Sequence, residues 1–542
     1  MTKKYLLTLL LLLFISSCAS PTPTVAPPPT ASPTALADSD QWWSKAVFYE
    51  IFVRSFNDSN NDGIGDFNGI TQKLDYLQQL GITAIWLMPI FPSPSYHGYD
   101  VTDYYNVNPQ YGTMDDFKNL VKEAHNRNIH IIIDLVINHT SDKHPWFKDA
   151  KKDPKSPYRD WYIWSETDPK YNGPWGERVW HSSTTGFYYG IFEAFMPDLN
   201  YKNPAVTAEM NKIVAFWLKE VGVDGFRLDA AKHLIEEGTV QQNTNSTHLW
   251  YQNEFYPAYK SINPNAMTVG EVFGDGLNTI AGYIKNDQFD LAFNFQLAND
   301  FLKSANTGKA SYLPPVLALS EKAIPNHQYA TFLTNHDQNR SMSQLNGDIN
   351  KAKLAAFFLF TSPGTPFIYY GEEIGMQGKK PDEDIRRPMQ WSGEANAGFT
   401  TGKPWRAPAT DYTTVNVTEE TGNPDSLVEH YRALIKLRNS NSALQTGDIV
   451  PLKASDPSIY SAIRKDSTGT FLILANLKDE PITDYNIALD GISLAGTSYS
   501  VETVFGAGQA NSLERSGESF KSYRPFDQLP PYAMYVLKLN PK

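Results

Sequence analysis

The chain has 542 residues, which at roughly 100–200 residues per domain implies about three domains and ample length for a core. Its 47 Lys and Arg against 59 Asp and Glu leave a net charge of −12, which argues against a nucleic-acid binder with a basic face. Hydrophobic residues at 41% and charged residues at 20% exclude a disordered chain, and a single cysteine excludes an intrachain disulfide and a Cys-based zinc site.

The first element is a targeting segment. Lys3 and Lys4 precede an apolar run from Tyr5 to Ile15, too short for a permanent bilayer span and suited to a secretory signal. The run ends in Ile15-Ser16-Ser17-Cys18, which resembles a bacterial lipobox. That resemblance implies that Cys18 becomes the first mature residue and carries lipid. An ordinary signal peptide with an incidental cysteine is the plainer alternative. Residues 1–17 are thus expected to be a signal peptide, and 18–40 a lipid anchor and tether. Residues 21–37 read PTPTVAPPPTASPTALA, a tract that buries nothing and stays extended. No later segment offers about 20 uninterrupted apolar residues. The expected location is extracytoplasmic, with the membrane touched through lipidated Cys18 only.

From residue 47 short β-rich runs alternate with amphipathic helical stretches. VFYEIFV (47–53) precedes a helical pattern around 70–80, and ITAIWLMP (82–89) precedes another over 114–127. IHIIIDLVINH (129–139), VDGFRLDAA (223–231), MTVGEVF (267–273), FDLAFNF (289–295), YATFLTNHD (329–337) and TPFIYYGEE (365–373) complete eight strands. Most are continuous apolar runs, as in strands buried on both faces. Such alternation implies parallel strands with crossover helices. Eight of them predict an α/β fold of the (β/α)8 TIM-barrel class, with an open doubly wound sheet as the rival.

The gap between the third and fourth strands is far longer than one crossover helix needs. Residues 141–199 are rich in Trp, Tyr, Pro and Gly with little helical period, and are expected to form a subdomain inserted after strand three. A helix over 203–221 carries Pro204 in its first turn. The barrel is thus expected in two parts, 41–140 and 200–445. Near its end, 425–443 repeats apolar residues at helical spacing. Runs such as TFLILANL (470–477) and YAMYVLKL (532–539) then predict a C-terminal antiparallel β-sandwich over 446–542.

Polar residues collect at the C-terminal ends of the strands, where a barrel places its active site. Strand three ends in Asp134, Asn138 and His139, strand four in Arg227 and Asp229, strand five in Glu271, and strand seven in His336 and Asp337. One acid at a strand end is commonly a cap or an ion-pair partner. Three acids from three strands, with an Arg and two His, point to chemistry. Asp229 lies two residues from Arg227 on a strand, so both face one side, and a guanidinium there favours an ionised carboxylate. Glu271 sits between Val269 and Val272-Phe273, and a partly apolar, acid-crowded site raises an acid's pKa. The 12 Trp, 30 Tyr and 29 Phe serve either large cores or stacking surfaces for sugar rings.

DLVINH, GFRLDAAKH, GEVF and TNHD resemble, in order, the four signature regions of the alpha-amylase family of glycoside hydrolases, over a stretch from about residue 43 to the end. The resemblance implies that Asp229 is the nucleophile, Glu271 the general acid/base and Asp337 the transition-state stabiliser. It implies that Arg227 keeps the nucleophile ionised, that His139 and His336 bind the sugar at the cleavage point, and that YHGYDVTDY supplies His97, a stacking Tyr99 and Asp100. The implied partner is an alpha-glucan, met by a monomeric enzyme.

Calcium is the expected metal. DSNNDGIGD (58–66) spaces oxygen ligands at alternate positions, Asp58, Asn60, Asp62, the Ile64 carbonyl and Asp66, with Gly63 allowing a sharp turn. An Asn/Asp/Gly-rich turn without metal is the alternative. The segment also resembles the metal loop of the oligo-1,6-glucosidase branch. The family resemblance implies a second site at Asn138, Asp198 and the His233 carbonyl.

Substrate signals conflict. GDFNGI and RRPMQW (386–391) resemble oligo-1,6-glucosidases, whereas Lys232-His233 resembles the pair with which alpha-amylases contact sugar beyond the cleavage point. MPDLN (196–200) mixes neopullulanase and oligo-1,6-glucosidase features. The expectation is an enzyme of this intermediate branch that cleaves alpha-1,4-glucans with retention. The alternatives are an alpha-glucosidase, oligo-1,6-glucosidase or neopullulanase-like activity, a transglycosylase or trehalose-forming enzyme, and a non-catalytic glucan-binding lipoprotein.

Overall fold

The computed structural model describes residues 41–490, 492, 494, 496–515 and 520–542. The signal peptide, Cys18 and the tether expected over 1–40 lie outside the described residues.

The chain opens with three parallel strands, β1 (Phe48–Ile51), β2 (Ala84–Leu87) and β3 (His130–Leu135). A small antiparallel sheet follows, with β4 (Trp164–Ser165), β5 (Trp180–Ser183) and β6 (Gly186–Tyr189) in the order β4-β6-β5. Strands β7 (Gly225–Leu228), β8 (Met267–Gly270), β9 (Leu291–Phe293), β10 (Tyr329–Thr331) and β11 (Thr365–Tyr369) then complete a closed barrel. Its order is β1-β11-β10-β9-β8-β7-β3-β2. The (β/α)8 expectation holds, and the open sheet is excluded by closure.

Each strand is buried on both faces, and the two faces differ. Inward positions such as Phe48, Trp86, Ile132, Met267 and Phe367 form one apolar cluster inside the barrel. The alternating Tyr49, Ile51, Ile85, Leu87, Ile131 and Ile133 pack outward with the helices. Two residues on from Phe48 and Ile132 the inward position is Glu50 and Asp134, and Asp134 is paired in register with Arg227. The barrel interior therefore changes from apolar to charged toward the C-terminal ends of its strands.

The strands end earlier than the apolar runs that predict them. The third covers 130–135 rather than 129–139, and the seventh 329–331 rather than 329–337. The missing residues leave the ladder and enter loops, so periodicity alone overshoots.

Helices begin where caps dictate. Phe67–Leu80 starts on Asp66, whose side chain accepts from the Gly69 N–H, and stops at Gly81 with φ 93°. Met114–His125 starts with a reciprocal capping box between Thr113 and Asp116. The helix expected over 203–221 runs as Pro204–Ala215 and continues in a wider turn, Phe216–Val221. Among the described residues no helix is long and apolar enough to cross a membrane.

The C-terminal region holds β12 (Asp448–Pro451), β13 (Ile459–Lys465), β14 (Thr470–Asn476), β15 (Ile487–Ala488), β16 (Ser498–Phe505), β17 (Leu513–Glu514), β18 (Ser522–Tyr523) and β19 (Met534–Pro541). They form a six-stranded antiparallel sheet, β12-β13-β14-β19-β16-β17, and a β15-β18 ribbon. A separate apolar core, including Leu472, Leu474, Ile487 and Leu537, joins them. Arg464 of β13 reaches the end of the helix Ile349–Thr361 and donates to the Thr361 carbonyl at 2.6 Å.

Candidate active site

Arg227 organises the site. It is 1% exposed, held in place because its neighbours in β7 are laddered to β3 and β8. Its Nη1 donates to both Asp134 oxygens at 2.8 and 2.9 Å and to Asp229 Oδ1 at 2.9 Å. Its Nη2 donates to Glu271 Oε2. Three carboxylates from the ends of β3, β7 and β8 thus share one guanidinium.

That crowding, with burial, acts on two of the three carboxyls. Burial pushes the Glu271 carboxyl up and the Asp229 and Asp337 charges add to it, while Arg227 opposes. The direction is the one a proton donor needs. Asp134, fully enclosed, is pushed up to about 7 by burial and by Asp229, again against Arg227.

Asp337 comes in from the far side, its side chain 46% exposed. Burial raises its carboxyl, but His336 and Arg386 outweigh that and hold it below the usual carboxylate range. His336 Nε2 lies 3.3 Å from Asp337 Oδ2, and Arg386 Nη2 donates to Asp337 Oδ1 at 2.7 Å. Beneath them His336 Nδ1 meets Glu50 Oε1 at 2.5 Å and its Nε2 meets the Tyr99 hydroxyl at 2.6 Å. Burial opposes the imidazolium, yet Asp337 and Glu50 together push His336 up to about 10.

Asp229, Glu271, Asp337 and Arg386 line a cleft of about 590 Å³, together with His97, Tyr99, His139, Lys232 and His233, while the buried Arg227 and His336 stand behind that wall. Tyr99 stacks on His336 at 5.7 Å between ring centres. His139 Nε2 is 3.1 Å from the Tyr99 carbonyl, and burial holds its ring neutral by lowering its pKa. His97 accepts from the Tyr99 N–H at 3.1 Å. Lys232 is fixed by the Phe273 carbonyl and Asp275 at 2.6 and 2.8 Å. His233 Nδ1 sits 3.1 Å from the Gln241 carbonyl, and burial drops its pKa to about 4.

Asp100 is a correction. It is 1% exposed and accepts from the Ser93 and Ser141 hydroxyls at 2.7 and 3.5 Å. It supports the loop that carries Tyr99 and is absent from the cleft wall.

The metal loop folds around acceptors. Asp58 accepts backbone N–H groups of Asn60, Asn61 and Gly63 at 3.0, 2.7 and 2.7 Å, and Asn60 and Asp62 each accept from two residues on. Gly63 stands at φ 92°, and a Cβ there would lie 1.9 Å from the Lys403 carbonyl oxygen. Asp66 also serves Ser59 and the helix cap at Gly69, as Asp58 serves its three N–H groups, and each carboxylate keeps lone pairs for a cation. The Ile64 N–H is bound to Asp62, which curls the Ile64 peptide into the loop. Among the described residues no three His, Cys, Asp or Glu side chains gather as a metal cage. The loop's neutral Asn60 and carbonyl oxygens would have to complete a hard-cation site. At the second expected site, Asn138 Nδ2 donates to Asp198 Oδ2 at 3.1 Å, leaving the buried Asn138 Oδ1 without a partner. Burial raises the Asp198 carboxyl well above its ordinary value. An orphaned oxygen beside a buried acid fits an oxygen-seeking cation.

Sequence reasoning missed Glu50, Asp382 and Arg386 as site residues. Glu50 was legible as a charge at an inward position of an apolar strand. Arg386 stands in RRPMQW, and its second partner, Asp382 Oδ2 at 3.0 Å, is four residues away. The rim aromatics Trp175, Phe192 and Phe273 also line the cleft. Nothing in their spacing marks them.

Comparison with known proteins matches residues 50–447 to the family described as alpha amylase, catalytic domain. Alpha-amylase 3 of Dictyoglomus thermophilum is 45% identical over 445 residues, covering 81% of this chain and 86% of that protein. An oligo-1,6-glucosidase of Heyndrickxia coagulans is 34% identical over 541 residues, covering 84% and 97%. A crystal structure of the alpha-amylase from H. orenii superposes with a TM-score of 0.80 at 41% identity, covering 91% of this chain and 99% of that one. With its closed barrel and convergent strand-end acids, this chain belongs to the alpha-amylase family and is a glycoside hydrolase.

Proposed function

We propose that the enzyme cleaves alpha-1,4-glucosidic bonds in starch, maltodextrins and related alpha-glucans, with retention, by double displacement. The observation that carries this reading is the shared anchoring of Asp229 and Glu271 on Arg227, with Asp337 opposite. Asp229, held by the guanidinium, attacks the anomeric carbon while Glu271 protonates the leaving oxygen. A glucosyl ester forms on Asp229 as the glycosidic bond breaks. Glu271, now a base, takes a proton from water, which displaces Asp229. Asp337 stabilises the developing oxocarbenium charge from the far side.

The alpha-1,4 preference draws on the Dictyoglomus relative and on Lys232-His233 at the cleft wall. A second reading, alpha-1,6 cleavage of short oligosaccharides, draws on the oligo-1,6-glucosidase relative and the Arg386 motif. Incubation with starch, maltotriose and isomaltose, with products identified over time, separates them. Starch and maltotriose cleaved faster than isomaltose supports the first reading, and isomaltose cleaved fastest overturns it. Proton NMR of the first product is expected to show the alpha anomer; a beta anomer overturns the nucleophile assignment.

Calcium is proposed at Asp58, Asn60, Asp62, the Ile64 carbonyl and Asp66, and at Asn138, Asp198 and the His233 carbonyl. Bound there it would cross-link loops and carry no step of the reaction. Glucan is the proposed partner of a monomeric enzyme, and Cys18 the proposed lipid anchor outside the cytoplasm.

A further inference from the structure

Among the described residues six arginines are buried, Arg54, Arg227, Arg340, Arg386, Arg438 and Arg464. Five have their charge answered. Arg227 and Arg386 face carboxylates. Arg340, Arg438 and Arg464 each donate to two or more backbone carbonyls. Arg54 is different. It lies just past β1 in the short turn Val53–Phe56 and is 7% exposed. Its Nη2 donates to the neutral amide oxygen of Gln110. Its Nε–H is buried without an acceptor, as are those of Arg227, Arg438 and Arg464, so what sets Arg54 apart is that the partner of its Nη2 is neutral. Its guanidinium packs 5.7 Å from the Trp405 ring and 6.0 Å from the Tyr111 ring. No carboxylate stands within 4.0 Å of it among the described residues. A buried cation in that state is costly to hold.

Arg54 also lines a pocket of about 510 Å³, distinct from the cleft. Tyr96 separates the two, lining the pocket and placing its ring 5.9 Å from the Arg386 guanidinium. The pocket's other polar walls are Ser93, Ser95, Thr102, Asn108 and Gln110, with no Asp or Glu. Two of these hydroxyls are spent, since Ser93 donates to Asp100 and Thr102 to the Pro92 carbonyl. The Asn108 amide oxygen is spent as well, on the Gln110 N–H at 3.0 Å, which leaves its NH₂ end as a donor.

We propose that this pocket binds a small anion, an inorganic oxyanion or a carboxylate, with Arg54 as its charge partner and the Asn108 amide as a second donor. A guanidinium with a flanking amide donor presents the donor-only surface that a carboxylate or phosphate oxygen needs. The walls offer no competing negative charge.

The test uses the full chain and its own internal control. Gln110→Glu would place a carboxylate against Arg54 and occupy the anion's position from within. Melting temperature is measured in a bulky organic sulfonate buffer at constant ionic strength, with sodium acetate or sodium phosphate substituted stepwise. Wild type is expected to gain roughly 2–4 °C in a saturating manner. General salt effects rise without saturation and are common to wild type and variant. Gln110→Glu is expected to lose the saturating part and to start from a higher melting temperature. Should that variant not fold, Arg54→Met is expected to lose the same response. A larger response to acetate assigns a carboxylate, and a larger response to phosphate assigns an oxyanion. No saturating response in wild type, or an undiminished one in the variant, overturns the proposal.

Discussion

Glu50 and His336 come from opposite ends of the barrel sequence and meet at 2.5 Å beneath the cleft. The contact joins β1 to the loop after β10, and both side chains are buried. Its consequence is electrostatic. His336 is a cation wedged between the Glu50 and Asp337 carboxylates, so the far wall of the site carries a fixed positive charge against which Asp337 stays ionised.

Glu50→Gln keeps the hydrogen bond and removes the charge. The folded-state pKa of His336 is raised to about 10, above an unperturbed value near 6.5. Its stabilising contribution is therefore complete below about 6.5 and is lost as pH rises through about 10. In the variant Asp337 alone supports the imidazolium, so the alkaline decline in stability and in kcat is expected at lower pH. Denaturant melts and kcat profiles between pH 6 and 10.5 check this. Superimposable wild-type and variant profiles would mean that another group sets the alkaline limb.

Asp229→Asn and Glu271→Gln are expected to cost several orders of magnitude in kcat while leaving the fold intact. Each is isosteric and keeps an acceptor for Arg227, so the guanidinium is not left unpaired. Circular dichroism melts and turnover on a soluble maltooligosaccharide check both halves. Near wild-type turnover in either variant would remove that residue from the proposed chemistry.

The barrel was legible because each strand is an apolar run bounded by a helical period, and eight such units suggest closure, although only the strand order excludes an open sheet. The strand-end acids were legible because Asp134, Arg227 and Asp229 continue the inward parity of their strands. Two things escaped. Asp100 neighbours Tyr99 in sequence but turns to Ser93 and Ser141, and alternation says nothing of side-chain direction in a loop. Arg386 acts through a contact with Asp337, 49 residues away, which no local pattern encodes.

Chelation is expected to lower the melting temperature. A ligand bound only to the native state stabilises it by about 2.7 kcal/mol at 100 times Kd. Asp62→Ala removes an exposed side chain of the proposed site whose one hydrogen bond in the loop is to the Ile64 N–H, so it is expected to lose part of the chelator sensitivity with little change in kcat. Calorimetry with and without a chelator, and elemental analysis, check it. A chelator-insensitive melting temperature with no metal found would count against both proposed sites.

Two rim aromatics are expected to grade substrates by length. Trp175 is 59% exposed and Phe273 55%, unusual for side chains so large, and both line the cleft. Each is braced from behind, Trp175 by Phe192 at 5.8 Å and Phe273 by Phe295 at 4.9 Å. A braced, exposed ring holds its orientation at little entropic cost and offers a flat apolar face to a sugar. Neither touches the acids on Arg227, so removing one leaves the bond-breaking groups in place. Trp175→Ala and Phe273→Ala are therefore expected to raise KM for long maltooligosaccharides roughly 3- to 10-fold, the worth of about 0.5–1.5 kcal/mol of aromatic contact. For the shortest substrate that is cleaved, KM and kcat are expected to stay near wild type. Steady-state kinetics across a series from maltotriose to maltoheptaose reads both. An equal loss at every chain length would show that these rings act at the cleavage point itself rather than along the bound chain.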